Sequence, residues 1–316
     1  MTTWQRFAVL VLTAMLFLNL PSFAWDAVGH MAVAYMAYQQ LTPAARTRAN
    51  ALIALNPDYS KWQQQIPAGT PASDKDLILF MIAATWPDQI KDGSEYTEKG
   101  DLSDGPKAGQ NVGYKDPFQH RYWHFVDTPF SDDHTALPAI PVPNAETQIK
   151  IFRAALASST ADDDLKSYDL VWLLHLVGDV HQPLHCSTRV SSSEHNGDQG
   201  GNKVHVTCPT GCNEADELHA LWDNALGAGS DPNVALAAAK ALHMAKGKAA
   251  GNTDTATWVK ESFNDAKSDV YKAPIAAGDG PFVITEPYEI AAKQVAGARV
   301  ALAGARLAKV INLELK

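Results

Sequence analysis

The chemistry of this sequence is concentrated in a few histidines and aspartates. In Asp169-Leu-Val-Trp-Leu-Leu-His175-Leu-Val-Gly-Asp179, an imidazole and a carboxylate stand four residues apart in an otherwise apolar run. On a helix that spacing puts both on one face, about one turn from each other. A lone carboxylate among Leu, Val and Trp is costly to bury and needs a cation. His185 follows after His181-Gln-Pro, where the proline turns the chain back. Glu217-Leu-His219-Ala-Leu-Trp-Asp223 repeats the His-x3-Asp spacing. Imidazole with carboxylate in this pattern suits zinc, which binds N and O ligands with high affinity.

One such pair is usually a structural hydrogen bond or ion pair. Two pairs, with a third histidine six residues past the first aspartate, favour a metal. Three further segments add donors. Ala83-Ala-Thr-Trp-Pro-Asp88 places an acid just after a helix, and Trp123-His124-Phe125-Val126-Asp127 sets a histidine beside an aromatic and another acid. Trp25-Asp-Ala-Val-Gly-His30 would open the mature chain if the residues before it are removed. A freed α-amino group and its own carbonyl can chelate a metal, with His30 as a third ligand. His120, His134, His195 and His243 fall in polar loops or on ordinary helix faces and read as solvated. His181 and His205 could support the ligands, but surface or core roles fit them better.

The elements that must carry these residues are helical nearly throughout. Thr42-Pro43 starts a helix running to about Leu55, and Ser73-Asp-Lys-Asp76 starts another through Ala84. Residues 145–158, 168–180, 214–226, 233–247, 253–271 and 286–313 also carry apolar positions at helical spacing. The best short strand is 202–207, while 89–119 and 187–213 read as long irregular segments. No repeat or linker divides the chain, so one all-α domain is expected.

The first 24 residues read as a leader: Arg6, an apolar run from Phe7 to Leu20, a helix-breaking Pro21, then Ser22-Phe23-Ala24 for cleavage. An uncleaved anchor is the alternative. Removal would leave residues 25–316 secreted or periplasmic, with no stable membrane association. Cys208 and Cys212 flank a Pro-Thr-Gly turn and suit a small-loop disulfide in an oxidising compartment, leaving Cys186 over. The 316 residues carry a formal charge of −9, which argues against holding nucleic acid along a bare basic face. No Walker-type loop, Gly-x-Ser-x-Gly elbow, His-Glu-x-x-His helix or EF-hand loop is present.

Together, Trp25 with His30, TWPD, WHFVD, LVGDVHQPLH, GGNKVHV followed by LHALWD, and a late WVKES helix resemble the zinc-dependent single-strand nucleases of the fungal S1/P1 type. Bacterial zinc phospholipase C is a more distant cousin. The resemblance implies an all-α domain of the phospholipase C/nuclease type, with irregular loops around a trinuclear zinc cleft. It assigns one zinc to Asp88, His124, His175 and Asp179, and a second to His185, His219 and Asp223. A third would take the Trp25 amino nitrogen and carbonyl, His30, and the other oxygen of Asp179. The family also implies that Phe125 stacks on a base whose edge Asp127 reads, and that a cation three positions past Asp88 steadies the transition state. Here that cation is Lys91, where fungal members have Arg, so the bidentate fork is lost. The segment from Asp88 to His124 also looks longer than in the fungal enzymes.

The implied activity is endonucleolytic hydrolysis of single-stranded DNA and RNA to 5′-phosphates, with 3′-nucleotidase activity on nucleotides, by a monomer. Asp88, Lys91 and Asp179 would serve the reaction. The competing readings are a phospholipase C of the same zinc architecture and a non-catalytic zinc-binding module.

Overall fold

The computed structural model describes residues 25–93, 95–209, 211–212 and 215–315; the expected leader lies outside them. In chain order the helices are α1 (Ala27–Tyr38), α2 (Pro43–Ile53), α3 (Tyr59–Gln64), α4 (Lys75–Ala83), α5 (Trp86–Asp92), α6 (Ala145–Ala157), α7 (Asp163–Asp179), α8 (Leu218–Asp223), α9 (Pro232–Ala241), α10 (Thr255–Asp265) and α11 (Glu286–Glu314). The strands are two-residue pieces: β1 (Pro129–Phe130) pairs parallel with β2 (Thr188–Arg189), and β3 (Val206–Thr207) with β4 (Phe282–Val283). The expected mostly helical single domain is what forms.

Helix α7 is the axis on which the rest is built. Asp162 caps it by accepting from Leu165 N at 2.8 Å, and Asp163 and Asp164 favour the positive end of its dipole. From Ser167 to Asp179 every residue is buried, as a helix apolar on all sides requires. Helices α1, α2, α5, α6 and α11 pack around it. Helix α1 lies against α11 at close range, and a Cβ on Gly304 would sit 2.3 Å from Met36 Cβ. Tyr168 and Trp172 of α7 join Trp86, Trp123 and Phe152 in a buried aromatic cluster with mostly edge-on contacts. A second, smaller core gathers Leu184, Val204, Leu218, Trp222, Ile284 and Tyr288 beside the irregular 187–213 segment.

Several boundaries move from their sequence expectations. Helix α7 begins at Asp163 rather than 168, because three consecutive aspartates supply its cap and first turn. The helix expected over 214–226 shrinks to α8 plus a 3-10 turn at Asn224–Leu226, since His205 and Glu217 pair in an antiparallel bridge. The helix expected at 233–247 stops at Ala241, where Leu242 turns extended. The 253–271 helix ends in a π-helical turn over Ala266–Val270. The strand expected at 202–207 keeps only Val206–Thr207, and its partner is distant in sequence. Helix α5 occupies the start of the segment read as irregular from residue 89.

Candidate metal centre

Each donor is delivered by a local element. Helix α7 presents His175 and Asp179 one turn apart, with His175 Nε2 3.3 Å from Asp179 Oδ2. Helix α8 repeats the geometry, His219 Nε2 lying 3.3 Å from Asp223 Oδ2. Pro87 sits in the first turn of α5, so the chain turns abruptly after α4 and sets Asp88 Oδ1 3.6 Å from His175 Nε2. His124 ends a 3-10 turn over Arg121–His124, and its Nδ1 lies 3.1 Å from Asp179 Oδ2. His185 lies in the Pro183–Cys186 turn that follows α7.

The segments bearing His124 and His185 run side by side. Val126 N donates to His185 O at 2.8 Å, and Thr188 N to Thr128 O at 3.0 Å, leading into the β1–β2 pair. His30, on the first turn of α1, completes the cluster, with Nε2 3.3 Å from Asp179 Oδ1 and its ring stacked on His175 at 3.7 Å. A Cβ on Gly178 would come within 2.9 Å of His30 Nδ1, so only glycine lets α1 approach α7 here.

The side chains form three groups whose ligand atoms all lie within 4.8 Å of one another: His30, His175 and Asp179; Asp88, His124 and His175; and His185, His219 and Asp223. Asp179 faces more than one group at once, with Oδ1 toward His30 and Oδ2 toward His124 and His175.

Hydrogen bonds on the far side of the rings decide which nitrogens are free. His175 Nδ1 meets Ala84 O at 2.8 Å, His185 Nδ1 meets His124 O at 2.9 Å, and His219 Nδ1 meets Gly200 O at 2.7 Å. A carbonyl only accepts, so each Nδ1 carries the proton and each Nε2 turns a lone pair into the cluster. His185 Nε2 and His219 Nε2 then face each other at 3.1 Å, beside the Asp223 carboxylate. Lone pairs aimed at one another next to an acid are unfavourable unless a cation lies among them. Around the other groups, both His30 nitrogens, His124 Nε2 and Asp179 Oδ1 are buried without a hydrogen-bond partner.

The electrostatics agree. Burial holds His30, His124, His175 and His185 well below the usual imidazole range, and lowers His219 to about 4. Burial likewise pushes the Asp179 and Asp223 carboxyls well above theirs. Neutral imidazoles with carboxylates that need a cation to ionise are a donor set that fits zinc.

Lys91 Nζ lies 2.6 Å from Asp88 Oδ1 at the edge of the cluster. Phe125 is half-buried and stacks on the His185 ring at 4.7 Å, facing the third group. Asp127 is also half-buried, and burial, with the charge of Asp198, pushes its carboxyl up to about 6. The Trp25 ring is buried, its indole donates to Gly178 O at 3.0 Å, and Asp26 N donates to Asp223 O at 3.2 Å. The Trp25–Asp26 chain therefore runs beside both ligand-bearing helices. Cys208 and Cys212 form a disulfide, and Cys186 is a buried free thiol.

Sequence reasoning missed one supporting residue. Gln182 Nε2 donates to Asp223 Oδ1 at 2.7 Å while its Oε1 accepts from Leu184 N, so it orients one carboxylate and the following turn together. Its place between two histidines and before a proline was the available signal. His120 is the clear correction: expected to be solvated, it is buried against Trp123 between Asp101 and Asp116. His134, His195, His205 and His243 are exposed. His181 is a core residue, with Nδ1 meeting Val177 O at 2.7 Å and Nε2 3.0 Å from the buried Arg306.

Among known proteins, the family model described as S1/P1 Nuclease matches residues 25–316. No curated protein matches the chain.

Proposed function

The chain belongs to the S1/P1 nuclease family, and from that premise we propose that it is an exported zinc-dependent endonuclease of single-stranded DNA and RNA. Its family makes it a hydrolase acting on the phosphodiester bonds of nucleic acids, and S1/P1 nucleases are zinc enzymes. The finer reading is that it releases 5′-phosphates, also removes 3′-phosphate from nucleotides, and works with three zinc ions as a monomer. The observation that carries it is the pair of inward-facing Nε2 lone pairs of His185 and His219 beside Asp223, with Asp179 spanning the neighbouring groups.

In this reading Asp88, His124, His175 and Asp179 hold one ion, and His185, His219 and Asp223 a second. His30, the other Asp179 oxygen and the freed amino group and carbonyl of Trp25 hold the third. Zinc supplies Lewis acidity, polarising phosphoryl oxygens and acidifying water into a nucleophile near neutral pH. The carbonyl partners of His175, His185 and His219 keep the rings in the tautomer that binds metal. Lys91 neutralises charge that develops on the phosphoryl oxygens and the leaving 3′-oxygen.

Phe125 stacks on an unpaired base, and the Asp127 carboxylate accepts from its edge. A duplex hides base faces, so single strands are preferred. The acidic total charge of −9 opposes binding along a basic face, not capture of one phosphodiester at a cation cluster. Removal of residues 1–24 would free the Trp25 amino group, and the Cys208–Cys212 disulfide fits an oxidising compartment. No helix among the described residues is long and apolar enough to cross a membrane.

The test is hydrolysis of single-stranded and duplex DNA of one sequence, before and after chelation and after zinc is restored. Preferential cleavage of the single strand, lost with chelator and recovered with zinc, is expected. Equal cleavage of both substrates, or activity indifferent to chelation, would contradict the reading.

A further inference from the structure

His120 adopts a backbone conformation uncommon for residues other than glycine. Its φ of 48° is left-handed, and its own side chain is buried. A residue other than glycine persists there only when its surroundings hold it. Those surroundings are specific. The imidazole lies flat on Trp123 with ring centres 3.6 Å apart and planes 5° from parallel. Asp101 Oδ1 lies 3.3 Å from Nδ1, and Asp116 Oδ2 3.0 Å from Nε2. Asp101 also takes the His120 backbone N–H, at 2.6 Å, and the Tyr122 hydroxyl, at 2.7 Å. His120 Nδ1 is also hydrogen-bonded with the Tyr122 hydroxyl at 3.0 Å, and carboxylates beside both ring nitrogens favour the doubly protonated ring. Burial lowers the affinity of that ring for its proton, and Asp101 and Asp116 more than restore it.

This clamp joins three stretches of chain: the one bearing Asp101, the one bearing Asp116, and the Arg121–His124 turn. Its neighbours on either side both reach the same atom. Gln119 Nε2 donates to Lys91 O at 3.0 Å, and Arg121 Nη2 donates to it at 3.2 Å. Arg121 Nε also donates to Gln119 Oε1 at 2.9 Å, which closes the pair into a clasp. Lys91 sits at the last turn of α5, where its carbonyl has no further helical N–H to accept from. The clasp supplies those donors and fixes the backbone from which the Lys91 ammonium extends.

We propose that His120 is a positioning residue for phosphodiester hydrolysis, acting through the Gln119–Arg121 clasp on the Lys91 carbonyl to hold the Lys91 ammonium at the reacting phosphate. The inference rests on the reading of Lys91 as the cation that neutralises the phosphate.

A double-mutant cycle on kcat for a single-stranded oligonucleotide, with bound zinc measured for every variant, tests both. His120→Gln should lower kcat about tenfold or more with zinc content and KM near those of the parent. In a Lys91→Ala background the same substitution should cost less than about twofold, because the group it positions is gone. The double variant Gln119→Ala/Arg121→Ala removes the clasp while leaving the buried histidine in place, and should reproduce the loss in kcat if His120→Gln fails to fold. Lys91→Ala with parental kcat would overturn the reading of the site itself. Lys91→Ala with reduced kcat, but equal losses for the clasp or His120 variants in both backgrounds, would overturn only the positioning role.

Discussion

Lys91 Nζ lies 2.6 Å from Asp88 Oδ1, one turn away on α5, and the two side chains are 2% and 9% exposed. A lysine so nearly withdrawn from water needs a partner of opposite charge. Here the partner is one of the donors that face His124 and His175. The ammonium thus stands beside the candidate metal ligands.

Replacing Lys91 by alanine should lower kcat about 100-fold to 1,000-fold, the range for losing one preorganised group that stabilises developing charge. KM should change far less, since that charge appears only in the transition state. Lys91→Arg should recover part of the loss, and steady-state kinetics on a single-stranded oligonucleotide read all three proteins. A rise in KM at unchanged kcat would assign Lys91 to ground-state binding instead.

Phe125 is half-buried with its ring on His185, so a base stacking on it would come to rest beside the third donor group. Stacking one base on an aromatic ring is worth about 1–3 kcal/mol. Phe125→Ala should therefore raise KM for oligonucleotides about tenfold and leave a small phosphodiester without a base nearly unaffected. Equal changes on both substrates would remove Phe125 from substrate binding.

Asp169 gives a prediction independent of the site. It is buried on α7 with Asn111 Nδ2 at 3.0 Å, and burial pushes its carboxyl up to about 8. The folded chain then holds this proton more tightly than the unfolded one, in which the group titrates near about 3.9. Its contribution to stability is fully present below that value and is lost as pH rises toward about 8. Asp169→Asn cannot ionise, so its Tm should exceed the parent's at pH 8 by several degrees, on the order of 2–4 °C per kcal/mol. The margin should shrink toward pH 5. A margin constant across that range would show that Asp169 does not titrate as described.

What was legible in the sequence was local. His175 with Asp179, and His219 with Asp223, could be paired because a four-residue step on a helix leaves little freedom. The mostly helical class followed from apolar spacing in the same way. What could not be read depended on distant partners. His120 is buried because Asp101, 19 residues away, converges on it together with Asp116, and the four-residue step from Asp116, in a segment that is not helical there, does not by itself announce burial. Strand β3 finds its partner at Phe282–Val283, too short a segment to show alternation. Helix α5 was half hidden because Asp92 and Gly93 open a polar stretch that outweighed the buried Ile90 and Lys91 before it.

In the proposed site Asp179 would serve two neighbouring metal ions, and zinc content measured together with activity checks this. Zinc per molecule and hydrolysis of single-stranded DNA should be determined together for the parent and for Asp179→Asn, with circular dichroism to confirm the fold. The expected result is a folded variant that has lost activity and more than one zinc per molecule, since one carboxylate faces two groups. A variant that keeps both its zinc and its activity near the parental level would contradict it.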